Sequence, residues 1–228
     1  MAEKKNNALT DLIINIVIPS VILMKLSGEA ELGSVGALLL ALAFPIGLGI
    51  YELVRYRKLN YIAILGLVSV LLTGGIGLLA LDPKWLAIKE ALVPGVIGLV
   101  VWGSTFTRYP IVSKMIFNDT VLNLSLIHEK LKENAQISEF EQCLKRSNFL
   151  FSATFFFSSV MNYGLARWIV TSPAGTEAFN EELGKMTLLS YPVIAIPSML
   201  MMLGIFYFVW RQLKQMTALE TQQIFKMQ

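Results

Sequence analysis

Apolar and polar residues occur along this chain in long blocks. Five blocks contain no Asp, Glu, Lys or Arg, namely residues 32–51, 59–81, 91–107, 147–166 and 186–210. A hydrocarbon core about 30 Å thick is crossed by roughly 20 apolar residues of helix. Because each block has about that length, and because lipid leaves backbone groups to bond within their own segment, the pattern predicts membrane-spanning helices. None of the blocks shows the period-two alternation of a membrane strand.

The whole chain, residues 1–228, is predicted to be a single all-α membrane domain, a bundle of about six transmembrane helices. The predicted spans are 12–26, 33–54, 59–81, 85–107, 149–170 and 186–210. The first of these is the shortest. Turn-forming residues separate several of them, as at Asp82-Pro83, which ends the third predicted span.

Basic residues lie mainly on one side of the predicted spans. Fourteen of the 19 Lys and Arg residues flank that side, and cytoplasmic loops carry the excess of such residues. The N and C termini and the loop 108–147 are therefore predicted to be cytoplasmic. Val121–Glu133 and Ile137–Lys145 in that loop both read as short amphipathic helices. The outer loop at residues 171–185 is predicted to form a turn and a brief surface helix.

The composition excludes several classes of function. Hydrophobic residues make up 55% of the chain and charged residues 15%, whereas soluble domains carry about 25% charged residues. This argues against a soluble enzyme, a disordered chain and a nucleic-acid-binding domain. One cysteine and one histidine do not make a zinc cluster, and no familiar catalytic motif occurs. We therefore expect no catalytic residues, no metal, no cofactor and no enzymatic activity.

Glycines and prolines inside the spans have two interpretations. The prolines are Pro19, Pro45, Pro94, Pro192 and Pro197. Kinks at these positions help a bundle pack, while freed carbonyls in a membrane also bind ions or substrates. The glycine groups at residues 74–77 and 95–98 favour close helix packing, with a hinge or a notch facing a substrate as the alternative.

The start of the fourth predicted span carries the first candidate binding residues. Lys89 and Glu90 lie just inside Lys84-Trp85, where Trp85 suits the headgroup region. A charge at that depth is costly unless it reaches the interface or pairs with another group. Lys89 is thus a candidate to hold a lipid phosphate, or to pair with Glu90 or Asp82.

The outer ends of the last two predicted spans supply four further candidates. Asn162, Tyr163 and Arg167 lie near one face of the fifth span. Tyr191 begins the apolar part of the sixth span and is a candidate for the same pocket. The alternative for Arg167 is that its side chain reaches out to the interface beside Trp168.

Two parts of the sequence resemble known bacterial families. Arg57-Lys58-Leu59, the pair Gly74-Gly75, then Asp82-x-Lys84-Trp85 and Ile88-Lys89, resemble the intracellular septation protein A family. The segment from Asn162 to Pro192 is similar to a related, uncharacterised proteobacterial family of polytopic inner-membrane proteins, whose members are sometimes labelled transporters. The resemblance implies a multi-pass protein of the bacterial cell inner membrane, linked to envelope maintenance and septation.

Two functions are expected from these observations. The first is a non-enzymatic inner-membrane protein of cell-envelope maintenance that acts through membrane lipids or through envelope-synthesis or division proteins. The alternative is a small transporter or lipid flippase with a polar pocket near the outer ends of spans four to six. No nucleic acid is expected as a partner, and a homo-oligomer is left open.

Overall fold

Every regular element that the structure describes is helical. The computed structural model describes residues 13–56, 61–107, 110–116 and 122–224. In chain order, the α-helices are α1 Ile18–Lys25, α2 Gly33–Tyr56, α3 Tyr61–Leu78, α4 Lys84–Ser104, α5 Ile111–Ile116, α6 Leu124–Glu133, α7 Ile137–Ile169, α8 Glu177–Ser190, α9 Ile196–Thr217 and α10 Thr221–Ile224. Two π-helical turns, Ile13–Val17 and Tyr191–Ala195, directly precede α1 and α9.

Four helices are long and apolar enough to cross a membrane. They are Gly33–Tyr51 within α2, Lys84–Ser104, Ile137–Ile169 and the continuous helix Glu177–Thr217, which joins α8, the second π turn and α9. These correspond to the predicted spans 33–54, 85–107, 149–170 and 186–210. The chain is therefore an all-helical protein with the architecture expected in a membrane.

The other two predicted spans coincide with shorter helices. The span 12–26 corresponds to the first π turn and α1, and the span 59–81 to α3, which has 18 residues. Residues 12, 59 and 60 lie outside the described residues, as do both chain termini and parts of the loop 108–147.

Prolines explain both π turns. Pro19 and Pro197 stand in the first turn of α1 and of α9, just after the wider turns. A proline ring clashes with the carbonyl four residues earlier, and widening the preceding turn relieves that clash. Pro45 and Pro94, in contrast, lie inside α2 and α4.

The chain packs as two compact units. The first comprises the residues up to Ala91 together with Met161–Ile194, and the second comprises Leu92–Val160 and the residues from Ala195 onward. In the first unit, α8 packs against α1, and α2 packs against both α1 and α3. The core of this unit surrounds Phe179 of α8, whose side chain is fully buried with Leu38 and Leu86.

Glycines allow helices of the first unit to approach one another closely. A Cβ atom on Gly74 or Gly77 of α3 would lie 2.6 or 2.5 Å from a side-chain carbon of Leu42 or Leu38 on α2. A Cβ on Gly184 of α8 would lie 2.8 Å from the carbonyl oxygen of Ser20 on α1. The packing interpretation of the glycine group at residues 74–77 is thus confirmed for two of its three glycines.

The second unit has two small cores. One joins α6 to the C-terminal residues through Ile127, Leu131 and Leu213, and the other surrounds Val101 and Phe151. Here α4 meets α7 where Gly95 faces Ser159 and Gly98 faces Phe155 and Phe156.

Two helices differ from the sequence predictions. The predicted amphipathic helix Ile137–Lys145 and the fifth span are one helix, α7, because the residues between them include no Pro or Gly and the Ser147 hydroxyl donates to the Cys143 carbonyl at 2.8 Å. The prediction of a brief surface helix at residues 171–185 was also wrong, because one face of the helix found there is buried. Helix α8 has 14 residues and buries Phe179, Leu183 and Met186 along one face.

Candidate functional site

Helix α4 begins at a well-defined cap. The backbone N–H of Lys84 donates to the Asp82 carboxylate at 2.8 Å, and that of Trp85 donates to the Asp82 carbonyl at 3.0 Å. Such a side-chain cap satisfies a helix N–H that has no partner within the helix. It fixes Lys89 about one and a half turns into α4, facing α3.

The Lys89 ammonium group is buried and fully partnered. Its Nζ lies 2.6 Å from Oε1 of Glu90 and 2.7 Å from Oγ1 of Thr73 on α3. The carbonyl oxygen of Ser69 lies 3.5 Å from the Lys89 Nζ and also accepts a hydrogen bond from the Thr73 hydroxyl at 3.1 Å. Only 8% of Lys89 is exposed. The interactions therefore join the two helices through a compensated charge rather than a free one.

Glu90 is the more accessible partner of this pair. Its side chain is 24% exposed, against 9% for that of Lys89. Neighbours one residue apart on a helix point in different directions, so the short contact requires the Glu90 side chain to bend back over α4. Asp82 and Glu90 were the two predicted partners of Lys89, and in the structure Lys89 pairs with Glu90.

Asp82 has a different partner. Its carboxylate lies 3.1 Å from Lys84 Nζ in a pair of which both side chains are about half exposed. The backbone N–H of Lys84 holds the pKa of Asp82 below its ordinary value of 3.8, and the positive charges of Lys84 and Arg167 lower it further. Arg167 therefore contributes to the electrostatic field at the N-terminal end of α4.

The remaining candidate residues lie on α7 and at the second π turn. Tyr163 is 46% exposed and Arg167 is also exposed, next to Trp168, which is 78% exposed. Asn162 and Tyr191 are partly buried. All six candidates belong to the first unit, and among them Lys89 and Glu90 form an ion pair. The exposure of Arg167 and Tyr163 fits side chains that reach toward an interface.

Sequence reasoning missed the polar partners within the spans. Ser69 and Thr73 are one turn apart in an otherwise apolar helix, and that spacing could have indicated a polar face on α3. Asn180 is fully buried, and its amide donates to the Ser27 hydroxyl at 3.0 Å and the Ser34 carbonyl at 2.7 Å. Glu182 accepts four hydrogen bonds from residues 171 and 172 and so ties the end of α7 to α8.

A second buried amide organises the other unit. Asn148 of α7 is fully buried, and its Nδ2 lies 2.7 Å from the Val101 carbonyl oxygen and 3.0 and 2.7 Å from the hydroxyls of Ser104 and Thr105, so its two N–H groups donate among these three acceptors. Its oxygen accepts from the backbone N–H of Val112 at 3.1 Å. One side chain thus satisfies groups at the end of α4 and the start of α5.

The same unit contains a cleft of about 540 Å³ beside α6 and α7. Ile127, Leu131 and Phe140 supply apolar lining, while His128 and Lys145 supply polar lining. Within the described residues, no group of three or more His, Cys, Asp or Glu side chains is arranged to hold a metal ion.

Comparison with protein-family models, curated proteins and solved structures gives no match for this chain. The likeness to septation proteins therefore stays a prediction from the residues that carry it.

Proposed function

We propose that this chain is a non-enzymatic protein of the bacterial inner membrane that maintains the cell envelope by holding protein or lipid partners. The envelope role comes from the resemblance to septation proteins, and the observation that favours a structural role over transport is the pairing of Lys89 with Glu90. A transporter pocket needs ionisable groups that can meet a substrate. Here the buried Lys89 Nζ already lies within hydrogen-bonding distance of Glu90, Thr73 and Ser69.

The architecture in this proposal has six spans with both termini in the cytoplasm. Four are the long helices already described, and α1 and α3 supply the other two. Close packing supports α1 and α3 as spans, because Gly184 lets α8 approach α1 and Gly77 lets α3 approach α2. An even number of spans keeps the basic flanks of the chain on one side.

Deletion and crosslinking test the envelope role. Cells lacking the gene are expected to show altered envelope or division morphology, which the intact chain restores. Crosslinking in intact membranes is expected to recover an envelope-synthesis or division component. A deletion strain of normal morphology, together with a crosslinked sample that contains no such component, would contradict the proposal.

A transporter or lipid flippase is the second candidate, favoured by one specific observation. Lys89 and Glu90 are ionisable groups within a helix that can span a membrane, and such groups are often functional. The double variant Lys89→Met/Glu90→Gln separates the two candidates, because it removes both charges together. A structural pair predicts that this variant complements the deletion, whereas a transport site predicts loss of function in a protein that still inserts.

Arg167→Ala provides an independent comparison. In the envelope-protein proposal, this exposed side chain contributes mainly to the interface, so the variant should complement the deletion. If Arg167→Ala and the double variant both insert normally and both fail to complement, the polar-pocket candidate replaces the first.

A further inference from the structure

One end of α7 has an ordered sequence of charged and apolar side chains. Glu141 comes first along the helix. The exposed cations Lys145 and Arg146 follow one turn later, and Phe149 and Leu150 follow after one more turn. Phe149 and Leu150 are 55% and 45% exposed. The two cations therefore lie where the apolar part of the helix begins, at the end of the molecule that the sequence predicts to be cytoplasmic.

These cations border an apolar groove. Lys145, Arg146, Phe149 and Leu150 line it from α7, and Phe208 lines it from α9; the groove is shallow and open on one side, with a volume of about 460 Å³. Its floor consists of three large apolar side chains, and its charged lining residues are both cations. The surface that lines the groove is almost entirely apolar, so Lys145 and Arg146 contribute mainly the carbon atoms of their side chains to it, and their charged groups lie beside it.

The two cations are available to an external anion. Within the part of the chain that the structure describes, the side chains of Lys145 and Arg146 form no hydrogen bond and no ion pair. Glu139 lines a smaller groove that Arg146 and Phe208 also line, and Glu141 lines the cleft beside α6 together with Lys145. Neither carboxylate lines the apolar groove.

We propose that this groove binds one anionic phospholipid. The phosphodiester group lies between Lys145 and Arg146, and an acyl chain covers Phe149, Leu150 and Phe208. Basic pockets between membrane helices on the cytoplasmic side suit anionic headgroups, and a guanidinium offers two parallel donors to a phosphate. A zwitterionic lipid carries a positive group as well, which these cations disfavour.

This site specifies the lipid partner of the proposed function, and it rests on that proposal only for the placement of these helices in a membrane. Lipid binding is measured on purified protein, while the envelope role is measured by complementation. Failure of one is therefore distinguishable from failure of the other.

Native mass spectrometry of the full chain in detergent, titrated with phosphatidylglycerol or phosphatidylcholine, tests the site. The wild type is expected to retain one phosphatidylglycerol in preference to phosphatidylcholine. Each juxtamembrane cation contributes about a fivefold gain in affinity for an anionic lipid surface, so Lys145→Gln/Arg146→Gln should weaken phosphatidylglycerol binding about 25-fold.

The matched control removes the same charge from the same unit. Lys130 and Lys132 lie on α6, where Lys130 pairs with Glu133 at 2.6 Å. Lys130→Gln/Lys132→Gln should leave binding within about threefold of wild type, because neither side chain lines the groove. The charge-preserving exchange Lys145→Arg/Arg146→Lys should also retain binding, which guards against a folding effect in the test variant.

Two results would overturn the proposal. Equal weakening by the control double variant would mean that total charge, not the groove, attracts the lipid. Equal retention of phosphatidylcholine by the wild type would mean that the cations do not select the headgroup.

Discussion

Removing one member of the Lys89–Glu90 pair should destabilise the protein, whereas removing both should not. Lys89→Met keeps a long unbranched side chain but leaves the partly buried Glu90 carboxylate without its ammonium partner. Breaking a buried ion pair costs about 3–5 kcal/mol. Because Glu90 is 24% exposed and can turn toward water, we expect the lower end, about 3 kcal/mol.

The double variant Lys89→Met/Glu90→Gln should recover most of that loss. It leaves no uncompensated charge, and the Thr73 hydroxyl keeps its bond to the Ser69 carbonyl. Replacing both members of a buried pair is often nearly neutral. Lys84→Met is the matched control, since it breaks an exposed pair of the same helix and should cost less than about 1 kcal/mol.

Thermal unfolding in detergent, followed by tryptophan fluorescence, measures these differences. A loss of about 3 kcal/mol corresponds to a melting temperature lower by about 6–12 °C for a chain of this size. Lys89→Met should show that decrease, and the double variant and Lys84→Met should melt within about 3 °C of wild type. A single variant as stable as wild type would refute the structural role of the pair, as would a double variant less stable than the single one.

Three further predictions concern packing, buried hydrogen bonds and pH. Gly184→Ala should lower the free energy of unfolding by about 1–3 kcal/mol, because the new Cβ would meet a backbone oxygen of α1. The control variant Gly164→Ala has open space around its Cβ and should be neutral or stabilising. The melting temperatures of the two variants measure the difference. Asn148→Leu should lower the free energy of unfolding by roughly 3 kcal/mol or more, because it leaves buried polar groups without hydrogen-bond partners. The control variant Asn134→Ala removes one exposed hydrogen bond and should lower it by less than about 1 kcal/mol in the same denaturation assay. The folded-state pKa of Asp82 is lowered, so its ionisation stabilises the protein fully above the ordinary value of 3.8. This contribution decreases as the pH falls below the ordinary value and is lost once the pH has passed through the lower folded value. The stability difference between wild type and Asp82→Asn should therefore shrink as the solution is acidified, and a difference that stays constant throughout acidification would contradict the assigned capping bond.

Hydrophobic blocks predict the long helices closely because lipid leaves the backbone few alternatives. The predicted span 33–54 lies within α2, and 85–107 overlaps nearly all of α4. The sequence predicted that Lys89 would pair with Glu90 or Asp82, because an unpaired charge at that depth in a membrane is costly.

Features that depend on tertiary contacts could not be read from the same pattern. The burial of α8 follows from Phe179 packing against Leu38 and Leu86, which are distant in sequence. The amide of Asn148 finds its acceptors more than 40 residues earlier. In each case a polar or mixed segment is satisfied by a partner that local periodicity does not reveal.

Labelling with a membrane-impermeant maleimide in intact bacteria tests whether the helices place the Lys84 end and the Lys130 end on opposite sides of the membrane. Both side chains are exposed, at 53% and 36%, and Cys143, the one native cysteine, is first replaced by serine. We predict that Lys84→Cys is labelled in intact cells and that Lys130→Cys is labelled only after lysis. Labelling of both positions, or of Lys130→Cys alone, in intact cells would contradict the account.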